Sequence, residues 1–131
     1  MKLYRLMVSI LCMALLMVLC LPVVCSAEIT PFAEAGNVIQ AWMDFSGNMV
    51  NVGGKVVKLK AGCTAKTTVY VQAKSGSSWI AKTSGSGSRE ASASYTAQRG
   101  TEYRAYAIAK IYDSNGKQVD TLKGYSSSST Y

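Results

Sequence analysis

Residues 97–113 read AQRGTEYRAYAIAKIYD, and from Tyr103 onward the side chains alternate between two kinds. One set is Tyr103, Ala105, Ala107, Ala109 and Ile111, and the other is Arg104, Tyr106, Ile108, Lys110 and Tyr112. A period of two is typical of a β-strand, which turns successive side chains to opposite faces of a sheet. The alanine-rich set is the better core face, because small side chains let a second sheet approach closely.

The chain from Val38 onward is divided into short segments by glycine and serine. We predict strands over 39–45, 49–52, 55–60, 64–74, 79–83, 89–97, 101–112 and 117–126. Gly53-Gly54 is predicted to close a hairpin, 84–88 to form a second turn, and Asp113-Ser114-Asn115-Gly116 a third. Seven or eight short strands in about 100 residues predict an all-β fold, an antiparallel β-sandwich.

The run from Gly100 to Tyr103, Gly-Thr-Glu-Tyr, also carries a family resemblance. It resembles fibronectin type III and immunoglobulin-like domains, in which a Gly-Thr-x-Tyr turn leads into the sixth strand. The resemblance extends over 97–126 and implies an immunoglobulin-like sandwich in which the hydroxyl of Tyr103 bonds to the upstream backbone as a tyrosine corner. Those families place a core tryptophan on an early strand, so Trp42 fits that place and Trp79 departs from it. The resemblance implies a fold and no activity.

The first 27 residues are typical of a secretory signal peptide. Lys2 and Arg5 precede an apolar run over 6–25, and the small residues around Ala27 suit a signal peptidase. We predict a signal-peptide helix at 1–27, an N-terminal extension at 28–37 and a β-sandwich domain at 38–131. A second small-x-small site ends at Ala35. The alternative is an uncleaved membrane anchor, because about 20 apolar residues span a bilayer.

This organisation predicts a secreted, extracellular protein that meets a membrane only through an uncleaved signal segment. An apolar leader followed by a small sandwich rich in Tyr, Gly and Ser is similar to short exported proteins of Gram-positive gut bacteria, which belong to families of unknown function. That similarity supports a location and no activity.

Histidine is absent from the sequence, which removes the usual general base and the commonest transition-metal ligand. Three of the four cysteines lie in the predicted signal, leaving Cys63 as a small buried residue, an intermolecular bridge or a reactive thiol. The seven acidic residues are isolated from one another. We therefore expect no enzyme, no catalytic residue, no metal and no cofactor.

The net charge of +7 comes from lysines and arginines scattered singly along the chain. Such scattering is typical of a solvated surface, and it also suits attraction to anionic polymers. Nucleic acid is not an expected partner, because the sequence has no basic cluster.

The outward set of 101–112 is the candidate ligand-binding surface: Arg104, Tyr106, Ile108, Lys110 and Tyr112. Tyr70 with Lys66 and Lys74 makes a similar row, since aromatic rings beside cations suit sugars or protein partners. Structural roles are assigned to Tyr103, Trp42, Trp79 and Cys63. The alternative is that the outward residues pair across strands, or pack under the segment 29–35, and only stabilise the sheet.

The leading functional hypothesis is a secreted, non-enzymatic binding or adhesion module whose partner is an extracellular polymer or protein. One alternative is a small secreted toxin or bacteriocin-like antagonist. The other is an oligomerising extracellular structural subunit, whose final strand adds to the edge of another sheet.

Overall fold

A computed structural model describes residues 36–131. The predicted signal-peptide helix at 1–27, both cleavage sites and most of the extension at 28–37 lie outside the described residues. None of the structure described over 36–131 is a helix long and apolar enough to cross a membrane.

The described part of the chain is all β and contains eight strands. They are β1 (Val38–Ser46), β2 (Met49–Lys58), β3 (Thr64–Ser75), β4 (Ser78–Gly87), β5 (Glu90–Thr96), β6 (Glu102–Tyr112), β7 (Gln118–Tyr125) and β8 (Ser129–Thr130). Every pairing is antiparallel. The smaller sheet has the order β1-β2-β5, and the larger sheet has the order β4-β3-β6-β7, with β8 pairing the start of β6. The predicted all-β, two-sheet architecture is confirmed.

The alanine-rich face of β6 lies in the core, as its alternation predicts. Tyr103, Ala105, Ala107, Ala109 and Ile111 are each at most 1% exposed. The inward face of β3 lies beside them and the valines of β2 lie opposite, so the interior is made of small and branched side chains. Side chains of this size suit two sheets that pack closely face to face.

The predicted hairpin at Gly53-Gly54 is wrong, because both glycines lie inside β2 and pair with β1 and β5. The chain turns earlier, at Gly47, where φ is +59°. Glycine is required at 53 and 54 for close approach instead. The indole of Trp42 covers Gly53, and a Cβ on Gly54 would lie 2.5 Å from the Cβ of Ala107 in the opposite sheet.

The predicted turn at 84–88 is also too long, because β4 continues to Gly87. A Cβ on Gly85 would collide with the carbonyl oxygen of Ser92, and one on Gly87 with that of Glu90. These glycines therefore let the end of β4, in the larger sheet, lie close to the backbone of β5, in the smaller sheet.

Tyr103 anchors the start of β6 through its hydroxyl. The ring is buried, and Oη accepts a hydrogen bond of 2.9 Å from the backbone N–H of Gln98, five residues upstream. Phe45 and Tyr95 pack around the same ring. Tyr131 covers Phe45 and donates its hydroxyl proton to the carbonyl of Gly47 at 3.0 Å, which closes this end of the core.

Trp42 does not take the place of a core tryptophan. It lies on the outer face of β1 and is 42% exposed, because the inward positions of β1 are those of Ile39, Ala41, Met43 and Phe45. Cys63 is half-buried and packs against the cluster of Val56, Ala65, Ala109 and Ile111. Its predicted disulfide or reactive roles stay predictions.

The close approach of Gly54 to Ala107 leaves no room for a larger side chain at position 54. We expect Gly54→Ala to destabilise the fold by about 1–3 kcal/mol, because the added methyl must push the sheets apart. The gain from a stiffer unfolded chain is smaller, about 0.4–1 kcal/mol. Urea unfolding measures the change, and Ala107→Gly added to Gly54→Ala should restore part of the loss. If the changes in unfolding free energy of the two substitutions were fully additive, the two residues would not be in contact.

The hydroxyl of Tyr103 provides a second test. Tyr103→Phe removes the acceptor of the Gln98 N–H, and we expect it to lower the free energy of unfolding by about 1–2 kcal/mol. Tyr112→Phe, which removes a hydroxyl from an outer face, should change it by less than about 0.5 kcal/mol. Equal decreases in the thermal unfolding midpoint of the two variants would show that the hydrogen bond between Gln98 and Tyr103 contributes nothing to stability.

Candidate binding face

The predicted ligand-binding residues all lie on the outer face of β6, in the middle of the larger sheet. Tyr106, Ile108 and Tyr112 are half-buried, as is Arg104, while Lys110 is exposed. Because β6 lies between β3 and β7, each of these side chains has neighbours on either side. Ligand binding by this set stays a prediction.

Three tyrosines form a row across the sheet, which we call the tyrosine row (Tyr70, Tyr106 and Tyr125). The strand register places them directly opposite one another on β3, β6 and β7. The rings of Tyr70 and Tyr106 stack with centroids 5.8 Å apart, and those of Tyr106 and Tyr125 with centroids 4.8 Å apart. The cross-strand pairing predicted as the alternative to binding is therefore present, and each such pair stabilises the sheet by about 0.5–1.5 kcal/mol. Tyr125 is still 53% exposed.

Arg104 extends the tyrosine row toward β4. Its guanidinium carbon lies 4.3 Å from the centroid of Trp79 and 4.4 Å from that of Tyr125. Its Nε donates a hydrogen bond of 2.7 Å to Oε1 of Gln72, which lies opposite on β3. A cation held between two rings is a preorganised, weakly hydrated charge. Trp79, assigned a structural role from the sequence, is thus part of this face.

Beyond the tyrosine row lies a group of cations, the lysine cluster (Lys66, Lys110 and Lys123). Lys66 and Lys110 are direct cross-strand partners on β3 and β6, and Lys123 pairs with Ile108 one row away. Lys66 lies over the ring of Tyr112, with Nζ 5.4 Å from its centroid. The salt bridges found among the described residues do not involve any of the three. Like charges directly opposite one another destabilise a sheet, so the cluster costs free energy in the isolated protein.

The sequence placed Lys66 and Tyr70 on one outward row and the β6 set on another, and the structure joins them. It missed Lys123 and Tyr125, because residues 119–125 do not alternate between apolar and polar side chains and so could not be assigned to faces. Lys66, Lys110 and Lys123 are far apart in sequence, but the pairing of β3, β6 and β7 brings them close together in space.

At the opposite end of the face, Glu102 offsets another lysine. Its carboxylate accepts a hydrogen bond of 2.6 Å from Ser128 Oγ and lies 3.5 Å from Nζ of Lys74. The Ser128 hydrogen bond is the largest cause that holds the pKa of Glu102 below its ordinary value. Burial opposes it, and the charge of Lys74 adds to the lowering. The positive charge of the face is therefore concentrated at the lysine cluster.

No group of three or more His, Cys, Asp or Glu side chains in residues 36–131 is arranged to hold a metal ion. No protein-family model matches the chain, and no curated protein matches it. The geometry of this face is therefore the basis for any assignment of function.

The lowered pKa of Glu102 predicts a pH-dependent contribution to stability. The folded protein favours the carboxylate, so the contribution is present above the ordinary pKa of 4.5 and is lost as the pH falls through the lowered value. Glu102→Gln should therefore lower the unfolding midpoint at pH 7 and have little effect at pH 2. Glu90→Gln, at an exposed pair with Lys55, is the matched control. An equal loss at both pH values for Glu102→Gln would contradict the assignment.

Proposed function

We propose that this chain is a secreted, non-enzymatic, immunoglobulin-like binding module whose larger sheet binds an anionic extracellular polymer. The division of strands supports the immunoglobulin-like part. In constant-type immunoglobulin domains the first, second, fourth and fifth strands share one sheet, and the third, sixth and seventh share the other. Here β1, β2 and β5 likewise form one sheet and β3, β6 and β7 lie in the other, while β4 departs from that pattern by pairing with β3. The hydroxyl of Tyr103 lies at the entrance to β6, as a tyrosine corner requires.

The lysine cluster is the observation that best supports an anionic ligand. Lys66 and Lys110 are direct cross-strand neighbours, and their repulsion lowers the stability of the sheet. Among the described residues, neither forms a salt bridge with an acidic group. A bound anion would remove that repulsion, so binding and relief of strain would act in the same direction.

The aromatic part of the face favours a polymer over a free ion. The tyrosine row and Trp79 present half-exposed rings beside the cations, and Arg104 is held by Gln72 with its charge fixed between two rings. A chain of linked sugars or phosphates would contact rings and lysines at successive positions, which adds affinity without a deep pocket.

Secretion and the absence of enzyme activity rest on the apolar N-terminal segment and the lack of histidine. The toxin and structural-subunit hypotheses stay predictions, and the face described above favours neither of them over binding.

The proposal is tested with a charged and an uncharged form of one polymer. Protein purified from cells expressing the full chain should be retained by immobilised dextran sulfate and not by dextran, and the retention should fall steeply with salt. Replacing the lysine cluster by glutamine (Lys66→Gln, Lys110→Gln, Lys123→Gln) should weaken binding on the order of tenfold, if each exposed contact contributes about 0.5 kcal/mol.

The matched control removes the same charge elsewhere, at Lys55, Lys58 and Lys60 in and after β2. It should leave most of the binding in place. If the two triple variants lose binding equally, net charge and not this face is responsible, and the proposed site is wrong.

A further inference from the structure

Trp42 lies face down on the outer surface of the smaller sheet. A Cβ built on Gly53 would be equally close to Cε2 and Cζ2 of the indole and only slightly farther from Nε1. A point in the plane of the ring, outside the Cε2–Cζ2 bond, would be nearer to Nε1 than to the two carbons, so these distances place the point above the plane. One face of the indole therefore covers the backbone of Gly53, and the side chain is 42% exposed. The exposed surface of the side chain therefore belongs to the second face and the edges of the ring.

A row of polar side chains runs beside the indole. Asp44, Asn51 and Ser94 are direct neighbours across β1, β2 and β5. Asn51 Nδ2 donates to Asp44 Oδ1 at 3.0 Å, and Ser94 Oγ donates to Asn51 Oδ1 at 2.7 Å. These bonds fix the orientation of the amide and the carboxylate, and they leave lone pairs and a second amide proton for a ligand.

On the other side of the indole, the next row contains Gln40, Lys55 and Glu90. The Lys55 ammonium and the Glu90 carboxylate are 4.0 Å apart and exposed. The surface around the ring therefore carries both signs of charge close together, unlike the lysine cluster on the larger sheet. It offers hydrogen bonds in both directions and no attraction to a polyanion.

We propose that Trp42 and the flanking rows form a second binding site, which takes a neutral glycan of β-1,4-linked, gluco-configured sugars. A pyranose whose hydroxyls are all equatorial presents a flat face of axial C–H groups, which are weakly positive. The face of an aromatic ring is negative, so the two surfaces attract and exclude water. The equatorial hydroxyls at the sugar's rim then face the neighbouring Asp44–Asn51–Ser94 row, whose side chains donate and accept hydrogen bonds.

Covering a glycine in a strand is by itself a structural use for an aromatic ring. That use requires the buried face of the indole and not the exposed one, and it does not require an ordered amide and carboxylate next to it. The glycine also lets the ring lie low on the sheet, beside the Asp44–Asn51–Ser94 row. This is the geometry needed by a flat ligand that contacts both.

The experiment follows the two indole N–H resonances of the protein from full-chain expression, by two-dimensional NMR. The probes are the β-1,4-linked pentamers of glucose and of N-acetylglucosamine, which share the flat face and differ in the acetamido group. The Trp42 resonance should shift in a saturable way with at least one pentamer, while the Trp79 resonance stays fixed. A β-1,4-linked galactose pentamer, whose axial C4–O4 bonds interrupt the flat face and bend the chain, should bind at least several-fold more weakly.

Variants separate the ring from the polar row. Trp42→Phe should retain weaker binding, and Trp42→Ala should abolish it, as read from the remaining shifted amide resonances of β1 and β2. Asn51→Ala, at a surface position, should weaken binding several-fold with the spectrum otherwise unchanged. Trp79→Ala is the matched control on the other sheet and should bind as the parent does.

No shift of Trp42 with either pentamer at the solubility limit would overturn the inference. So would equal binding of the galactose pentamer together with an inert Asn51→Ala, because the contact would then be unspecific. A shift of Trp79 alone would place the glycan on the larger sheet. Retention on dextran sulfate does not depend on Trp42, so this site and the proposed function can fail separately.

Discussion

The distance between the two sheets is set where Gly54 faces Ala107. Gly54 has no room for a methyl group beside the buried Ala107, and the alanines that flank Ala107 on β6 keep the gap narrow along the strand. Large side chains can fill the interior only at its ends. Tyr103, Phe45 and Tyr131 fill one end, and Ile111 with Leu122 fills the other. Most of the remaining aromatic side chains are directed to the outer faces by this thin centre.

The two outer faces differ in charge although they belong to one small domain. The larger sheet carries cations among stacked rings, with Lys66 opposite Lys110. The smaller sheet carries one exposed indole between polar rows in which Lys55 and Glu90 are neighbours. Since coulombic attraction selects for ligand charge, and ring stacking does not, the two faces suit ligands of different chemistry.

Local alternation was enough to predict the inward and outward sides of β3 and β6, because a period of two does not depend on the strand's partners. The role of Gly53 and Gly54 was predicted wrongly because it does depend on the strand's partners. Two adjacent glycines resemble a hairpin loop in sequence, whereas in the folded chain Trp42 and Ala107 occupy the space where their side chains would lie. The lysine cluster could not be predicted either, since it depends on the register of β3, β6 and β7. Trp42 was assigned to the core by resemblance, although its own strand places it outside.

The connections between the strands are short throughout residues 36–131. The longest of them, 59–63, 97–101 and 113–117, are tied down: Cys63 N–H bonds to Lys60 O, Gly100 N–H to Tyr131 O, and the carboxylate of Asp113 accepts from the backbone of Asn115 and Lys117. A protease must draw an extended stretch of chain into its cleft, and loops of this length cannot supply one without unpairing a strand. Cleavage within this domain therefore depends on the population of opened molecules. The resistance of this domain to proteases is therefore governed by the same narrow core that fixes its shape.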